Sequence, residues 1–252
     1  MKRAIFLTAA LTVCALAIDI PRIGFARDAQ GRVTAINGIA GNFVLGETVE
    51  GALAFSWNGS YGIRKTDSAL HWLDGSGATV ATLDAPPGDA VIGFGPDRTA
   101  YIFSKSARTL CQLKSTQWSM LQVPVALSPE EDVLAVTGSG DSVNVAIRRN
   151  EAIFVVTFDA VTGSRIAEAV LVRTASQLLF LNDGALAGAD GRTLWILRAD
   201  GSMWNVDLGV PLTRLAWMGR DWITASADDR QFALRLRAEP EIYLLPQVAV
   251  IE

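Results

Sequence analysis

The stretch LNDGALAGADGRTLWILRADGSMWNVDL, residues 181–208, contains three short apolar segments separated by turns rich in Asp and Gly. Alternation of apolar and polar residues between such turns predicts antiparallel strands joined by tight hairpins. The fold depends on whether this is a single local hairpin or one copy of a unit that recurs along the chain. After residues 1–26, no stretch of ten residues shows the spacing of apolar residues that is typical of a helix, with capping residues at its ends. The chain is therefore predicted to be all-β.

The same pattern recurs in four other parts of the chain, residues 52–88, 90–124, 125–172 and 212–246. Each unit is marked by an apolar residue that is closely followed by a turn, and these residues are Phe55, Phe94, Leu127, Phe180 and Trp217. The intervals between them are 39, 33, 53 and 37 residues. Three of the four lie near the roughly 40 residues of a four-stranded propeller blade. The long interval is assigned to longer strands and the turn at residues 159–163.

A four-stranded sheet that is apolar on both faces cannot bury them alone. Packing such sheets around an axis covers each with its neighbours and leaves only short edges exposed. We therefore predict an all-β protein, a β-propeller of about six four-stranded blades. Strands within residues 31–47 and 247–252 are expected to close the ring in a shared sixth blade. Five or seven blades, or a two-sheet sandwich, also fit the strand spacing.

Two segments resemble the blade repeats of quinoprotein-like and YVTN-type bacterial propellers: GADGRTLWILRADGSMWNVDL (residues 188–208) and NEAIFVVTFDAVTGSRIAEAVL (residues 150–171). LSPEEDVLAV (residues 127–136) is similar to the opening of such blades. The resemblance covers most of the chain after residue 26, and it implies the fold. The tryptophan pattern of quinone-binding enzymes is absent, so the resemblance implies no quinone cofactor.

The N-terminus predicts export. Lys2 and Arg3 precede an apolar run over residues 4–18. This is typical of a secretory signal peptide, assigned to residues 1–26 with cleavage near Ala17 or Ala26, and leaves a propeller domain at residues 27–252. The run is shorter than the ~20 residues of a bilayer-spanning helix, so no membrane span is expected in the mature chain. An uncleaved anchor is the alternative, and Val13 disfavours lipidation of Cys14. The predicted location is the periplasm or the cell exterior.

Composition argues against several functions. A net charge of -4 gives no field for nucleic acid. His71 is the only histidine, which argues against multi-histidine metal sites and hydrolases with a histidine base. We expect it to be packed on a strand or exposed. Cys111 is the only cysteine after the signal peptide, so no intramolecular disulfide is expected.

Carboxylates are the remaining candidates for chemistry: Glu130, Glu131, Asp132, Asp228, Asp229 and the turn residues Asp74, Asp97, Asp190 and Asp200. An aspartate in a turn stabilises the bend through its own side chain, and we favour this role over metal binding. No cofactor is therefore predicted, with calcium kept open because it takes several converging oxygens.

Two turns carry the candidate binding site. Trp57 and Tyr61 flank an Asn-Gly turn, and Trp217 and Trp222 flank a turn that contains Arg220. We predict that these five residues lie at one rim, where amphipathic rings serve recognition. The predicted function is a non-enzymatic binding or scaffold module for a protein or carbohydrate partner in the cell envelope or outside the cell. The alternative is a calcium-assisted hydrolase or lyase acting on a lactone or sugar in the central channel.

Overall fold

The computed structural model describes residues 20–95, 98–114 and 119–247. These residues form 23 strands and no helix, so the all-β prediction is confirmed. The strands make six antiparallel sheets in chain order, and these are the blades of a six-bladed β-propeller. Within the described ranges no helix is long and apolar enough to cross a membrane.

The blades follow the predicted units. Blade 1 consists of β1 (Arg22–Arg27), β2 (Val33–Ile39) and β3 (Asn42–Val49). Blade 2 consists of β4 (Ala54–Trp57), β5 (Gly62–Lys65), β6 (Ala69–Leu73) and β7 (Thr79–Asp84). Blade 3 consists of β8 (Ala90–Gly95), β9 (Thr99–Ser104), β10 (Thr109–Lys114) and β11 (Met120–Val123). Blade 4 consists of β12 (Asp132–Ser139), β13 (Ser142–Arg149), β14 (Ala152–Asp159) and β15 (Arg165–Leu171).

The last two blades complete the ring. Blade 5 consists of β16 (Gln177–Phe180), β17 (Leu186–Asp190), β18 (Thr193–Leu197) and β19 (Met203–Asp207). Blade 6 consists of β20 (Arg214–Gly219), β21 (Trp222–Ser226), β22 (Gln231–Arg235) and β23 (Glu241–Leu244). Each sheet is a meander in which consecutive strands pair, so register is set by the short turns between them.

The repeat is more regular than the sequence markers indicate. The first strands of blades 2 to 6 end at Trp57, Gly95, Ser139, Phe180 and Gly219, which gives intervals of 38, 44, 41 and 39 residues. Leu127 lies in the connection before β12, so the 53-residue interval measured from it is not a blade length. Blade 4 nevertheless has the long strands that were predicted, since β12, β13 and β14 each have eight residues.

Both faces of a blade are buried, as the propeller prediction requires. On β18, Leu194 and Ile196 belong to a core cluster shared with blade 6, whereas Trp195 belongs to a cluster shared with blade 4. Successive strand residues point to opposite faces, so one strand packs against both neighbouring blades. The ring is held together by apolar contacts between the faces of neighbouring sheets.

Strand β1, the first strand of blade 1, runs in the opposite direction to the first strands of the other five blades. We call the end of the ring where β4, β8, β12, β16 and β20 begin the entry end, and the end where they stop the exit end. At the exit end, the Arg22 side chain donates to the Ser76 carbonyl in the turn after β6. At the entry end, Arg27 Nε donates to the Ala52 carbonyl, 2.5 Å away and just before β4. Strand β1 therefore has the direction of a second blade strand.

The innermost position of blade 1 is not filled by any residue that the structure describes. Strands β1, β2 and β3 have the directions of the second, third and fourth strands of a blade. The chain leaves β23 at the entry end, where Gln231 accepts the Leu245 amide through its carbonyl at 2.9 Å. The rest of the predicted closing strand, residues 248–252, lies outside the described residues.

Candidate functional site

The two turns of the predicted site lie together at the exit end. A Cβ atom at Gly59 would lie 2.5 Å from the backbone nitrogen of Arg220, and Gly59 has a φ of 94°. Only glycine allows this backbone approach and this conformation. Blades 2 and 6 therefore touch here, and the prediction that both turns share one rim agrees with the geometry.

Trp57 and Tyr61 pack between blades. The Trp57 ring lies 4.5 Å from the ring of Phe25 in β1, and Tyr61 stacks on Trp72 at 4.6 Å. The Tyr61 hydroxyl donates to the Thr99 carbonyl of blade 3 at 3.2 Å, and burial raises the pKa of Tyr61. Both side chains are at most 3% exposed, so they hold blades 1, 2 and 3 together and offer almost no surface to a partner.

Trp217 and Arg220 line a cavity of about 320 Å³ between blades 5 and 6. The Trp217 indole nitrogen donates to the Phe180 carbonyl at 3.1 Å, which fixes the ring as one wall. The apolar lining comprises Leu181, Ala185, Ile196, Trp217 and Leu236. The polar lining includes Asn182, Asp183, Arg198, Arg220, Asp221 and Arg237. We call this the rim cavity.

Two arginines of the rim cavity form no ion pair among the described residues, although the charge of Arg198 helps to lower the pKa of Asp200 in the same turn. Arg198 donates to the carbonyl oxygens of Ala238 and, at 3.4 Å, of Arg237, and neither Arg198 nor Arg220 forms an ion pair there. Arg237 differs, because its guanidinium lies 3.6 Å from the carboxylate of Glu241. With Asp183 and Asp221, the cavity lining carries three positive and two negative charges.

Trp222 lies at a different seam, between blades 6 and 1. Its half-buried ring contacts Phe43 at 5.9 Å and Tyr243 at 5.8 Å, and the Arg235 guanidinium lies 5.6 Å from its centroid. The Tyr243 hydroxyl donates to the Glu241 carboxylate at 2.9 Å, and this bond raises the pKa of Tyr243. The five predicted residues therefore separate into an inter-blade pair, a cavity pair and this seam residue.

A second cavity of about 220 Å³ lies on the axis, lined by the first strands of blades 2 to 6. Its carboxylates are Asp89, 3.6 Å from Lys105, and Asp132, 2.5 Å from Arg148. Among the residues that the structure describes, no group of three or more His, Cys, Asp or Glu is arranged to hold a metal ion. The axis thus presents paired charges at its entry end.

Asp74 and Asp200 have the predicted structural role in their turns, whereas Asp190 is the last residue of β17 and accepts a hydrogen bond from the Thr174 hydroxyl. Asp74 accepts the Ser76 amide at 2.8 Å, and Asp200 accepts the Ser202 amide at 2.8 Å. Hydrogen bonds from the Ser76 and Ser202 side chains, followed by these amide bonds, lower the pKa of both carboxyls. Asp97 lies outside the described residues.

The remaining candidate side chains are packed on strands. The imidazole Nδ1 of His71 lies 3.1 Å from the Thr82 hydroxyl. Burial, followed by the charge of Arg64, lowers the pKa of His71. Cys111 is half-buried, and burial raises the pKa of its thiol. Both belong to the sheet surface and lie apart from the two cavities.

The sequence analysis missed Arg198 and Arg237, although the chain contains a signal for them. LRADG at residues 197–201 and LRAEP at residues 236–240 repeat the same arginine with an interval of 39 residues. This interval equals the blade period, so it places both arginines at the turn before the fourth strand of adjacent blades. The aromatic residues pointed to the turn that supplies Arg220, but the other two arginines of the cavity come from turns that they do not flank.

No protein-family model matches the chain, and no curated protein matches it in sequence. Among solved structures, the chain is similar to PorZ, an essential bacterial surface component of the type-IX secretion system of Porphyromonas gingivalis. The identity is 11% and the TM-score 0.52, over 89% of this chain, which spans only 31% of the PorZ chain. A chain of the nidogen–laminin complex is 10% identical with a TM-score of 0.59, over 85% of this chain and 89% of that one. These likenesses support the β-propeller fold and no type within it.

Proposed function

We propose that the protein is an exported, non-enzymatic propeller that binds another protein through the rim cavity at the exit end of blades 5 and 6. The observation that carries this proposal is the combination of an apolar floor with two arginines, Arg198 and Arg220, that form no ion pair among the described residues. Apolar pockets with a few convergent polar groups are where binding energy concentrates. A propeller holds such a pocket rigidly, because both of its walls are packed sheets.

The chemistry of the cavity favours binding over catalysis. General acid–base catalysis needs a group whose pKa lies near the working pH. The cationic groups here are guanidiniums, which stay protonated throughout the physiological range. Asp183, one of the two carboxylates, accepts the Ala185 amide at 3.1 Å and so stabilises its own turn. The cavity is therefore suited to holding a charged group.

Export rests on the N-terminal pattern, and β1 favours one of the two predicted cleavage positions. Cleavage after Ala26 would remove most of β1, including Phe25, whose ring packs on Trp57. Cleavage near Ala17 would leave β1 in the mature chain. We therefore expect the envelope fraction to contain a form that begins near residue 18, measured by intact mass. A mature form that begins at residue 27 would contradict this, and an unprocessed form would favour an anchor.

Site-specific photo-cross-linking in the envelope tests the binding site. A benzophenone amino acid replaces Asn182 or Arg237 at the exit end, or Asp228 as a control in the exposed turn between β21 and β22 at the entry end. We expect positions 182 and 237 to capture the same protein and position 228 to capture none of it. Equal capture from both ends, or capture from position 228 alone, would contradict the proposed site.

A further inference from the structure

We propose that the rim cavity recognises a segment of a partner protein in which an aliphatic side chain stands next to one aspartate or glutamate. This inference rests on the proposed function and narrows it to a ligand chemistry. It follows from three properties of the cavity: its floor, its two unpaired arginines and its balance of charges.

The floor selects an aliphatic group. Leu181, Ala185, Ile196 and Trp217 are each at most 9% exposed, and together they form an apolar base to the cavity. The volume of about 320 Å³ is at the small end of ligand pockets, which span roughly 300–1,000 Å³. Such a cavity accommodates one or two side chains and is too small for an oligosaccharide. An aliphatic side chain of an extended peptide fits both the size and the polarity.

The arginines select a carboxylate. Arg198 lies at the turn after β18 of blade 5, and Arg220 lies at the turn after β20 of blade 6, so the two cations border the cavity from opposite blades. Guanidinium groups bind carboxylates through paired hydrogen bonds. Two backbone carbonyls already orient Arg198, which reduces the ordering cost of binding.

The balance of charges limits the ligand to one acidic group. Glu241 already pairs with Arg237 at 3.6 Å, so Asp183 and Asp221 match the two remaining arginines of the lining in number. Asp183 and Asp221 would repel a second carboxylate, so a polyanion is disfavoured. In a peptide with one acidic residue beside an aliphatic one, the aliphatic side chain would contact the apolar floor while the carboxylate binds the arginines.

Titration with two matched peptides tests this chemistry. The probes are acetyl-Leu-Asp-Leu-amide and acetyl-Leu-Asn-Leu-amide, which differ only in the charged group. The Trp217 indole N–H, assigned in a nuclear magnetic resonance spectrum with the Trp217→Phe variant, reports occupancy because it lies in the cavity wall. We expect the aspartyl peptide to shift this signal and to bind about tenfold more tightly than the asparaginyl peptide.

Variants locate the binding. Arg198→Gln and Arg220→Gln should each weaken the aspartyl peptide about tenfold. Arg192→Gln is the control, because Arg192 is exposed and pairs with Asp207 at 3.1 Å on the side of blade 5 away from the cavity. Unchanged melting temperatures exclude unfolding as the cause. Equal affinity of the two peptides, no shift at millimolar peptide, or no effect of both arginine variants would overturn the inference.

Two further measurements distinguish a failure of this inference from a failure of the proposed function. Galacturonic acid supplies a carboxylate on a sugar, and a stronger shift of Trp217 by this sugar than by the peptide would overturn the peptide assignment. If position 182 captures a protein partner while the aspartyl peptide fails to bind, the proposed function stands and the ligand chemistry is wrong. If cross-linking and peptide binding both fail, both are wrong.

Discussion

Blade 4 and blade 1 represent two different ways of making a stable sheet in the same ring. Blade 4 has four strands, three of them with eight residues, and a buried ion-pair network of its own. Blade 1 has three strands in the described part of the chain, and most of β3 is exposed. Blade 4 is thus stabilised by ion pairs within its own sheet, whereas blade 1 depends on its contacts with the neighbouring blades.

The network of blade 4 is centred on Glu131, whose side chain is 1% exposed. Its carboxylate accepts two hydrogen bonds from Arg165 of β15, at 2.8 and 3.0 Å, and one from the Ser128 amide at 2.8 Å. Arg149 of β13 adds a fourth contact at 3.3 Å. Burial by itself raises the pKa of Glu131, but these bonds outweigh it and lower the pKa overall. The network ties the outer strand to the segment that leads into β12.

Blade 1 is fastened to its neighbours at both ends. Phe25 packs on Trp57 of blade 2, and the Gln231 side chain of blade 6 donates to the Arg27 carbonyl at 2.5 Å. A cluster of buried residues from both blades, including Ile36 and Met218, fills the seam with blade 6. Blade 1 is therefore expected to lose its structure when either neighbour or the ring closure is disturbed.

Removal of residues 248–252 should have the largest effect if the predicted closing strand supplies the innermost position of blade 1. The segment contains two valines and an isoleucine, and each contributes about 1.5–3 kcal/mol when fully buried. We expect urea unfolding to show a loss of about 4 kcal/mol or more. Removal of Glu252 alone serves as the control. An unchanged midpoint for the five-residue deletion would mean that these residues do not close the ring.

Glu131→Gln should have the next largest effect, because it removes the charge from the centre of the blade 4 network. Hydrogen bonds to charged groups contribute about 1.5–3 kcal/mol, so we expect a loss of about 2 kcal/mol of unfolding free energy. Glu130→Gln is the matched control, since Glu130 is exposed and its only side-chain contact in the described part of the chain is a hydrogen bond from the Ser128 hydroxyl, with no ion pair. If both variants unfold at the same urea concentration, the network does not distinguish blade 4.

Gly201→Val tests a turn in blade 5, which is neither of the two blades compared above. Gly201 has a φ of 82°, and no atom lies within 4 Å of the position where a Cβ would stand, so the cost comes from the backbone alone. A side chain in this conformation costs about 1–2 kcal/mol. Gly201→Asn should cost less, because asparagine tolerates left-handed backbone. Equal stability of the valine variant and the wild type would show that the turn adopts another conformation.

Acid should weaken blade 4 through the same carboxylate. The pKa of Glu131 is lower in the folded protein than its ordinary value of 4.5, so the folded state binds this proton less readily than the unfolded state. The stabilisation is complete above about pH 4.5 and is lost as the pH falls through the folded pKa. Wild-type unfolding free energy should fall more steeply below that pH than that of Glu131→Gln. Parallel curves would contradict this.

Added calcium should have the smallest effect on the stability of the protein. The axial carboxylates Asp89 and Asp132 are already paired with Lys105 and Arg148, so a cation would have to displace those side chains. We expect the melting temperature to be the same in calcium, in magnesium and in chelator. A rise specific to calcium, growing with its concentration as binding linkage requires, would instead support the hydrolase or lyase alternative.

Turn chemistry and strand alternation determined the blade boundaries from the sequence. Asp74 and Asp200 bend the chain through bonds to residues two positions away, and alternation in β18 requires only adjacent residues. Turn hydrogen bonds and strand alternation both depend on residues that are close in sequence, so each blade could be predicted from its own segment. The Asn-Gly turn and the Arg220 turn were also predicted to share a rim, because each follows the first strand of a blade.

The tertiary structure alone decided which of these residues face solvent and which charges remain unpaired. Trp57 is buried because β1, which is distant from blade 6 in sequence, enters between blades 2 and 6. Glu131 differs from its exposed neighbour Glu130 because it is buried and because Arg149 of β13 and Arg165 of β15 reach it. Burial and ion pairing depend on the stacking of separate sheets around the axis, and the forces that set this stacking act between segments that are far apart in the chain.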